Sequence, residues 1–561
     1  MIRKIKIIFI VLSSMSLIIE AQTGEALKWH KYELVFTSSR TYENPIQEVR
    51  TFEITFTSPT GIKKTINGFW DGSDTWKARF MPDEEGVWNF TTLCSDAKNT
   101  GLHDQNGSFN CKTLSTAANI YRHGPVINPR GTYYLTHADG TPFFWLACTA
   151  WNGALKSSDT EWDQYLTQRV ENNYSAVQLV TTQWRGCDKS SECLVAFEGC
   201  GRIRINPEFF RLIDRKIDRV NEFGLVAAPV ILWALQSGSG RELSPGYYLP
   251  DDQAVLLGRY IIARYGANHV VWLLGGDGNY TGTYEQRWKT IGRALFDGKH
   301  QGIVAQHPQG RSWIGEIYKD EPWLNIIGYQ SSHSNAEGTV NWITKGPMSR
   351  MWAHLPPRPL INLEPNYEQI RDFITDKDVR NACYWSLFAT PIAGITYGAN
   401  GIWPWLRQGE KILNHGDAPW TSTWDVSINL PGSVQTGYLA GFITKFAWWE
   451  LYPAQELLQE QPGDKVFNEF VSVARSVNNK TVLAYLPVKQ TIKIRKPYGH
   501  NYSVRWFDPV KNEYSEGSGS DDGKILTVSS PSDHDMLLIL EELVAVKDIK
   551  IRNKRVISSP K

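Results

Sequence analysis

The alternation of apolar and polar residues changes rhythm twice along this chain, and the changes divide it into three parts. From Trp29 to about Ala117, short runs alternate with a period of two, as in "VRTFEITFTSPTG" and "GSFNCKTL". The turn clusters "SPTG", "DGSD" and "DEEG" break these runs, and no helical period intervenes. Such spacing predicts an Ig-like β-sandwich over residues 26–117.

Near Tyr133 the rhythm lengthens. Eight nearly continuous apolar stretches follow, at 142–151, 176–184, 225–233, 270–277, 302–308, 325–333, 358–365 and 393–403. Helical spacing fills most gaps, at 159–173 (with Asp159 as its cap), 206–224, 252–266, 283–297 and 368–388. Strands that are apolar on both faces and joined by helices build a parallel sheet covered on both sides. Eight of them over about 250 residues predict a (β/α)8 TIM barrel, placed at 126–445; an open doubly wound sheet is the competing arrangement. After Trp405 the helical rhythm fades, and period-two runs such as "KILTVSSPSDHDMLLIL" predict a second β-sandwich at 462–545. The fold class expected is therefore multidomain, a central barrel flanked by N-terminal and C-terminal β-sandwiches, with a basic tail at 546–561.

The first residues change the picture of where the chain works. Arg3, Lys4 and Lys6 precede an apolar run from Ile7 to Ile19, and Ala21 is a small residue at a cleavage position. This reads as a secretory signal peptide over residues 1–21, too short to span a bilayer and lacking a lipobox cysteine. A secreted or periplasmic protein without a transmembrane segment is expected. Without the signal, 56 Lys+Arg balance 57 Asp+Glu, so there is no basic footprint for nucleic acid. Seven cysteines leave at least one thiol unpaired within the chain. Bridges are expected between Cys94 and Cys111 and within the trio Cys187, Cys193 and Cys200. That trio lacks zinc-ligand spacing, so neither metal nor cofactor is expected.

The chemistry lies at the strand ends. In such a barrel the reacting groups come from the C-terminal ends of several strands. "VVWLLGGDGN" (270–279) ends the fourth stretch on Asp277 among Gly275, Gly276 and Gly278. These glycines are expected to leave space for a bulky substrate and for the backbone to bend. A phosphate loop would need GxGxxG or GxxxxGK[ST] spacing, absent here; a helix N-cap is the bland reading of the Asp. "LINLEPNYE" places Glu364 at the end of the seventh stretch. Two acids at one barrel mouth point to glycoside cleavage, with Asp277 as general acid/base, its pKa raised by its neighbour's charge, and Glu364 as nucleophile. Trp151, Gln183, Trp184, Trp233, Gln306, His307, Gln330, His333 and Trp403 follow other strands and are the candidate sugar-binding residues, indoles for stacking and amides and imidazoles for hydroxyls. Aromatics make up 12% of the chain, a surplus that suits sugar ligands.

The segment from "YYLTHADGTPFFWLACTAW" through "WLLGGDGN", "YQSSH" and "INLEPNYE" resembles the apiosidase-like glycoside hydrolases, glycoside hydrolase family 140 and relatives, over roughly 126–405. The "FTSSRTYENPIQEVRTFEITFTSPTG" and "GFWDG" segments resemble the β-sandwich that precedes this barrel. "AYLPVKQTIKI" and "VRWFDPVKNEY" resemble the collagen-binding-type sandwich that follows it. The resemblance implies a glycosidase acting on complex, plant or pectic, polysaccharide or oligosaccharide, with the family's acidic pair at Asp277 and Glu364. One departure is that many retaining barrels carry Asn-Glu at the fourth strand, where this chain has Gly-Asp. The insertion "RGCDKSSECLVAFEGCGRIR" beside the expected pocket points to a sugar other than apiose. The alternative is a non-catalytic carbohydrate-binding protein with a degenerate barrel. A lyase would want a Tyr, His or Lys base, and collagen recognition rests on the C-terminal resemblance alone.

Overall fold

The first and last strands of the apolar series pair with each other, so the sheet closes on itself. In the computed structural model, which describes residues 23–114, 119–372, 374–416, 420–497 and 500–543, eight parallel strands form the ring. They are β1 (Trp145–Thr149), β2 (Ala176–Val180), β3 (Val226–Trp233), β4 (Val271–Gly276), β5 (Ile303–Gln306), β6 (Ile326–Gln330), β7 (Leu360–Glu364) and β8 (Gly394–Ala399). Trp145 of β1 stands beside Gly394 of β8, which excludes the open sheet. Every residue of the eight strands is buried, as expected of strands covered by side chains inside and helices outside.

Two helices differ from expectation for local reasons. In α1 (Asp159–Glu171), Ser158 and not Asp159 is the cap. Its hydroxyl accepts from the Glu161 N–H at 3.2 Å, while the Glu161 carboxylate accepts from the Ser158 N–H at 2.8 Å, a capping box. The helix expected at 368–388 begins only at Asp376, capped by Thr375. Before it, Tyr367–Glu368 add an extended pair beside β8, and Gln369 (φ 62°) and Arg371 (φ 54°) occupy the left-handed region, which a helix cannot include. A helix at Pro431–Ile443 was not legible, because "PGSVQTGYLAGFI" has almost no polar face to mark a 3.6-residue period.

The N-terminal part forms a five-stranded and a three-stranded sheet with their own aromatic core. Its register overturns the expected Cys94–Cys111 bridge. Cys94 and Gly86 end the same strand, and Cys111 pairs with Gly86. Eight residues of strand separate the thiols by about 27 Å, far beyond the ~7 Å that a disulfide spans. All seven cysteines are free thiols, including Cys187, Cys193 and Cys200. The residues expected as signal peptide and basic tail, 1–21 and 546–561, lie outside the described residues.

Charge fastens the N-terminal sandwich to the barrel. Asp214 of the helix Pro207–Glu222 takes Arg264 at 2.7 Å through both oxygens and Arg79 of the sandwich at 3.0 and 2.8 Å. Arg264 also reaches Asp71 of the sandwich at 2.9 Å. At the other end, Arg380 bonds both oxygens of Asp535 at 2.8 Å, and Tyr485 donates to Asn381 at 2.7 Å. One face of the C-terminal sandwich shares its core with the barrel through Tyr485, Phe507 and Leu537. Among the described residues no helix is long and apolar enough to cross a membrane.

Candidate active site

β4 and β7 end on the same cleft. Asp277 and Glu364 both line a cavity of about 420 Å³ at the C-terminal mouth of the barrel. Asp277 follows Gly276, the last residue of β4, and its φ of 49° puts a non-glycine residue in the left-handed region. Such strain concentrates at functional sites. The neighbouring glycines serve rings, not substrate. A Cβ on Gly275 would stand 2.4 Å from the Tyr280 hydroxyl, one on Gly276 2.5 Å from the Trp233 ring, and one on Gly278 2.6 Å from Tyr280. The expected space for a bulky sugar is thus already filled by two aromatic side chains that wall the acid in.

Glu364 is held by two imidazoles. Nε2 of His333 lies 3.1 Å from Oε1 and Nε2 of His307 lies 3.1 Å from Oε2. His307 accepts the Asp277 backbone N–H at Nδ1, 3.2 Å away, so its proton sits on Nε2, towards Glu364. That N–H is close enough to attract the carboxylate, but it is not aligned for a hydrogen bond. His333 faces acceptors on both sides, the Pro365 carbonyl at 2.9 Å and Glu364. Both bonds form together only when both ring nitrogens carry protons.

These surroundings drive the two acids apart. Burial first, and the charge of Glu364 second, push Asp277 up to about 7, against the opposing pull of Arg185 and Gln330. The order differs from the sequence expectation, in which the neighbour's charge was the cause. Burial alone would also raise Glu364, but His307 and His333 overrule it and hold the carboxyl well below the ordinary range. Near neutral pH one acid keeps a proton while the other is an anion, the division that cleavage of a glycosidic bond requires.

The other sequence candidates divide into three groups. Trp151, Trp184, Trp233, Gln330, His333 and Trp403 line the cleft. Trp151 donates to the Tyr367 hydroxyl at 2.8 Å, and Trp184 donates to Asn152 at 2.7 Å. His307 lies behind the acids rather than on the wall, fully buried. Gln183 and Gln306 do not reach the cleft. Gln183 spans the insertion after β2, donating to Phe197 at 2.8 Å and accepting from Ala196 at 2.9 Å. Gln306 has no exposed surface, and neither of its amide atoms has a hydrogen-bond partner. A residue at a strand end alternates between mouth and interior, and the sequence does not print which way it turns.

Sequence reasoning passed over Arg185, Tyr367, Arg371 and His415, all on the cleft wall. Tyr367 was within reach, three residues beyond Glu364 in "LEPNYE"; its ring lies 4.1 Å from that of His333. Arg185 donates to the Ser239 carbonyl at 3.1 Å, and Asn414 donates to the Arg185 carbonyl at 2.9 Å. These bonds join loops distant in sequence, so no local pattern announces them. Among the described residues no group of three or more His, Cys, Asp or Glu side chains is arranged to hold a metal ion.

A closed parallel barrel with two differentiated carboxylates at its mouth defines a glycoside hydrolase. The catalytic-domain model described as apiosidase-like matches residues 129–450, and a domain of unknown function, DUF5060, matches residues 25–95. The chain belongs to the apiosidase-like family. Among solved structures it is similar to a glycoside hydrolase at 23% identity and a TM-score of 0.64, covering 75% of this chain and 97% of that one. A glycoside hydrolase family 5 protein from Bacteroides vulgatus ATCC 8482 is 22% identical, with a TM-score of 0.65 over 75% of this chain and 94% of that one. Another protein of that bacterium, 17% identical with a TM-score of 0.69, matches over 93% of this chain and 100% of its own length. At these identities the likeness is one of fold. No curated protein matches the chain.

Proposed function

We propose that the protein cleaves a glycosidic bond in a complex plant polysaccharide, of pectic type, or its oligosaccharides, with retention of anomeric configuration. The observation that carries this reading is the opposite displacement of two acids on one cleft, Asp277 up to about 7 and Glu364 well below the ordinary range. Asp277 gives its proton to the leaving oxygen while the Glu364 carboxylate bonds to the anomeric carbon, and the bond to the leaving sugar breaks. The resulting ester is neutral, which removes the Glu364 charge, the second of the two causes that had raised Asp277. Asp277 is then a carboxylate able to take a proton from water, whose oxygen displaces Glu364 and completes the second inversion. His333 and His307 favour the Glu364 anion before the first step and again as the ester breaks.

Arg185 and Arg371 on the cleft wall support the pectic assignment, because pectic backbones carry carboxylates. A secreted or periplasmic site of action follows from the signal-like pattern at residues 1–21. The test is incubation with a panel of plant glycans, with the anomer of the newly released sugar read by NMR before mutarotation. Release of the retained anomer supports the reading. Release of the inverted anomer overturns the double displacement alone, and no release from any pectic glycan overturns the substrate class.

A further inference from the structure

The cleft is rich in tryptophan yet offers almost no indole surface. Trp151, Trp184, Trp233 and Trp403 are 2%, 1%, 4% and 6% exposed. They pack on one another, Trp184 against Trp233 at 4.1 Å and Trp151 against Trp233 at 5.4 Å. They shape the cleft but present no face on which a sugar ring could lie. Trp420 is the opposite case. At 66% exposure it is the one exposed tryptophan among the described residues, and a large aromatic held in water commonly marks a binding surface.

Its chain neighbours are tied to residues on or next to the wall of the same cleft. Thr421, the next residue, accepts a hydrogen bond at 2.8 Å from Asn400, whose carbonyl oxygen accepts from the Trp403 indole at 2.9 Å. Ser422 donates its N–H to Gln369 at 2.9 Å, and Gln369 directly precedes Ile370 and Arg371 on the cleft wall. His415, five positions earlier in the sequence, lines the cleft as well. Trp420 is therefore one and two residues from anchors tied to two separate parts of the wall, and its own ring is left to solvent.

We propose that Trp420 is the stacking platform of a distal subsite, receiving the apolar face of a sugar ring one or more units away from the scissile bond. The inference rests on the glycosidase reading and adds that the enzyme senses the length of its glycan. Such stacking is favourable because the C–H face of a sugar and the face of an indole both leave water, while the sugar hydroxyls remain solvated at the edge.

The experiment takes the panel glycan that the wild-type enzyme cleaves and compares kcat/KM on its long oligosaccharides with kcat/KM on the shortest fragment still cut. For wild type the value rises with length. For Trp420→Ala the rise is flattened, with a loss of roughly tenfold on the long substrates and a smaller one on the short; Trp420→Phe recovers most of it. The melting temperature monitors the fold and should not move, since the ring is exposed. Equal values for Trp420→Ala and wild type at all lengths overturn the proposal, and so does an equal loss at all lengths. If the wild-type enzyme cleaves no glycan, the glycosidase reading fails first and the subsite falls with it, an outcome distinct from a flat comparison of active enzymes.

Discussion

The backbone N–H of Asp277 donates to Nδ1 of His307 across 3.2 Å, and the other nitrogen of that ring lies 3.1 Å from Glu364. One imidazole thus touches both acids, and both His307 and His333 lower the Glu364 carboxyl. Replacing either ring by Ala should move the acid limb of the kcat/KM profile to higher pH. An acid limb that stays in place in both variants would show that the rings do not hold the Glu364 anion.

Asp277 is active as a general acid while it keeps its proton, so kcat/KM should fall as pH rises through about 7. Asp277→Asn should cost about 10²–10⁴ in rate, least for substrates whose leaving group needs no proton. Glu364→Gln should be inactive on all of them. A substitution at either position that keeps full turnover would falsify the assignment.

The raised acid also bears on stability. Its folded pKa lies above the unfolded value, so the native state holds a proton that the unfolded chain releases. The contribution of this group is fully present below the unfolded pKa of ~4, is lost as pH rises through about 7, and stays lost above that. Asp277→Asn removes the penalty. It should melt at a higher temperature than wild type at pH 8 and show little difference at pH 4, by calorimetry.

At Gly276 a methyl group would meet the Trp233 ring at 2.5 Å, and at Gly275 it would meet the Tyr280 hydroxyl at 2.4 Å. Each Gly→Ala change should destabilise the protein by about 1–3 kcal/mol through overpacking, measured by denaturant unfolding. Because the Tyr280 hydroxyl has no partner, Tyr280→Phe should be tolerated and should partly relieve Gly275→Ala.

Asp214 carries Arg79 and Arg264 together. Asp214→Ala would leave two buried guanidinium groups side by side without their shared anion, at a cost of about 3–5 kcal/mol. Limited proteolysis should then cut first near the junction of the N-terminal sandwich and the barrel.

By itself the sequence determined the series of eight strands and the two acids at strand ends, while the pairing of β1 with β8 decided that the ring closes. Eight apolar stretches at regular spacing have one economical closed arrangement, and a carboxylate at the end of such a stretch is conspicuous because burial makes it costly. The Asn206 cap was legible because capping acts over three or four positions, but the caps Ser158 and Thr375 were not. Tertiary structure decided the rest. It filled the space beside the glycines with Trp233 and Tyr280 and buried Gln306 away from the cleft. It placed His307 and His333 on Glu364 and brought Arg185 and His415 to the wall of the cleft. Each of these depends on which way a side chain faces once distant strands and loops meet. A linear pattern of apolar and polar residues records burial, but not the neighbour across the barrel.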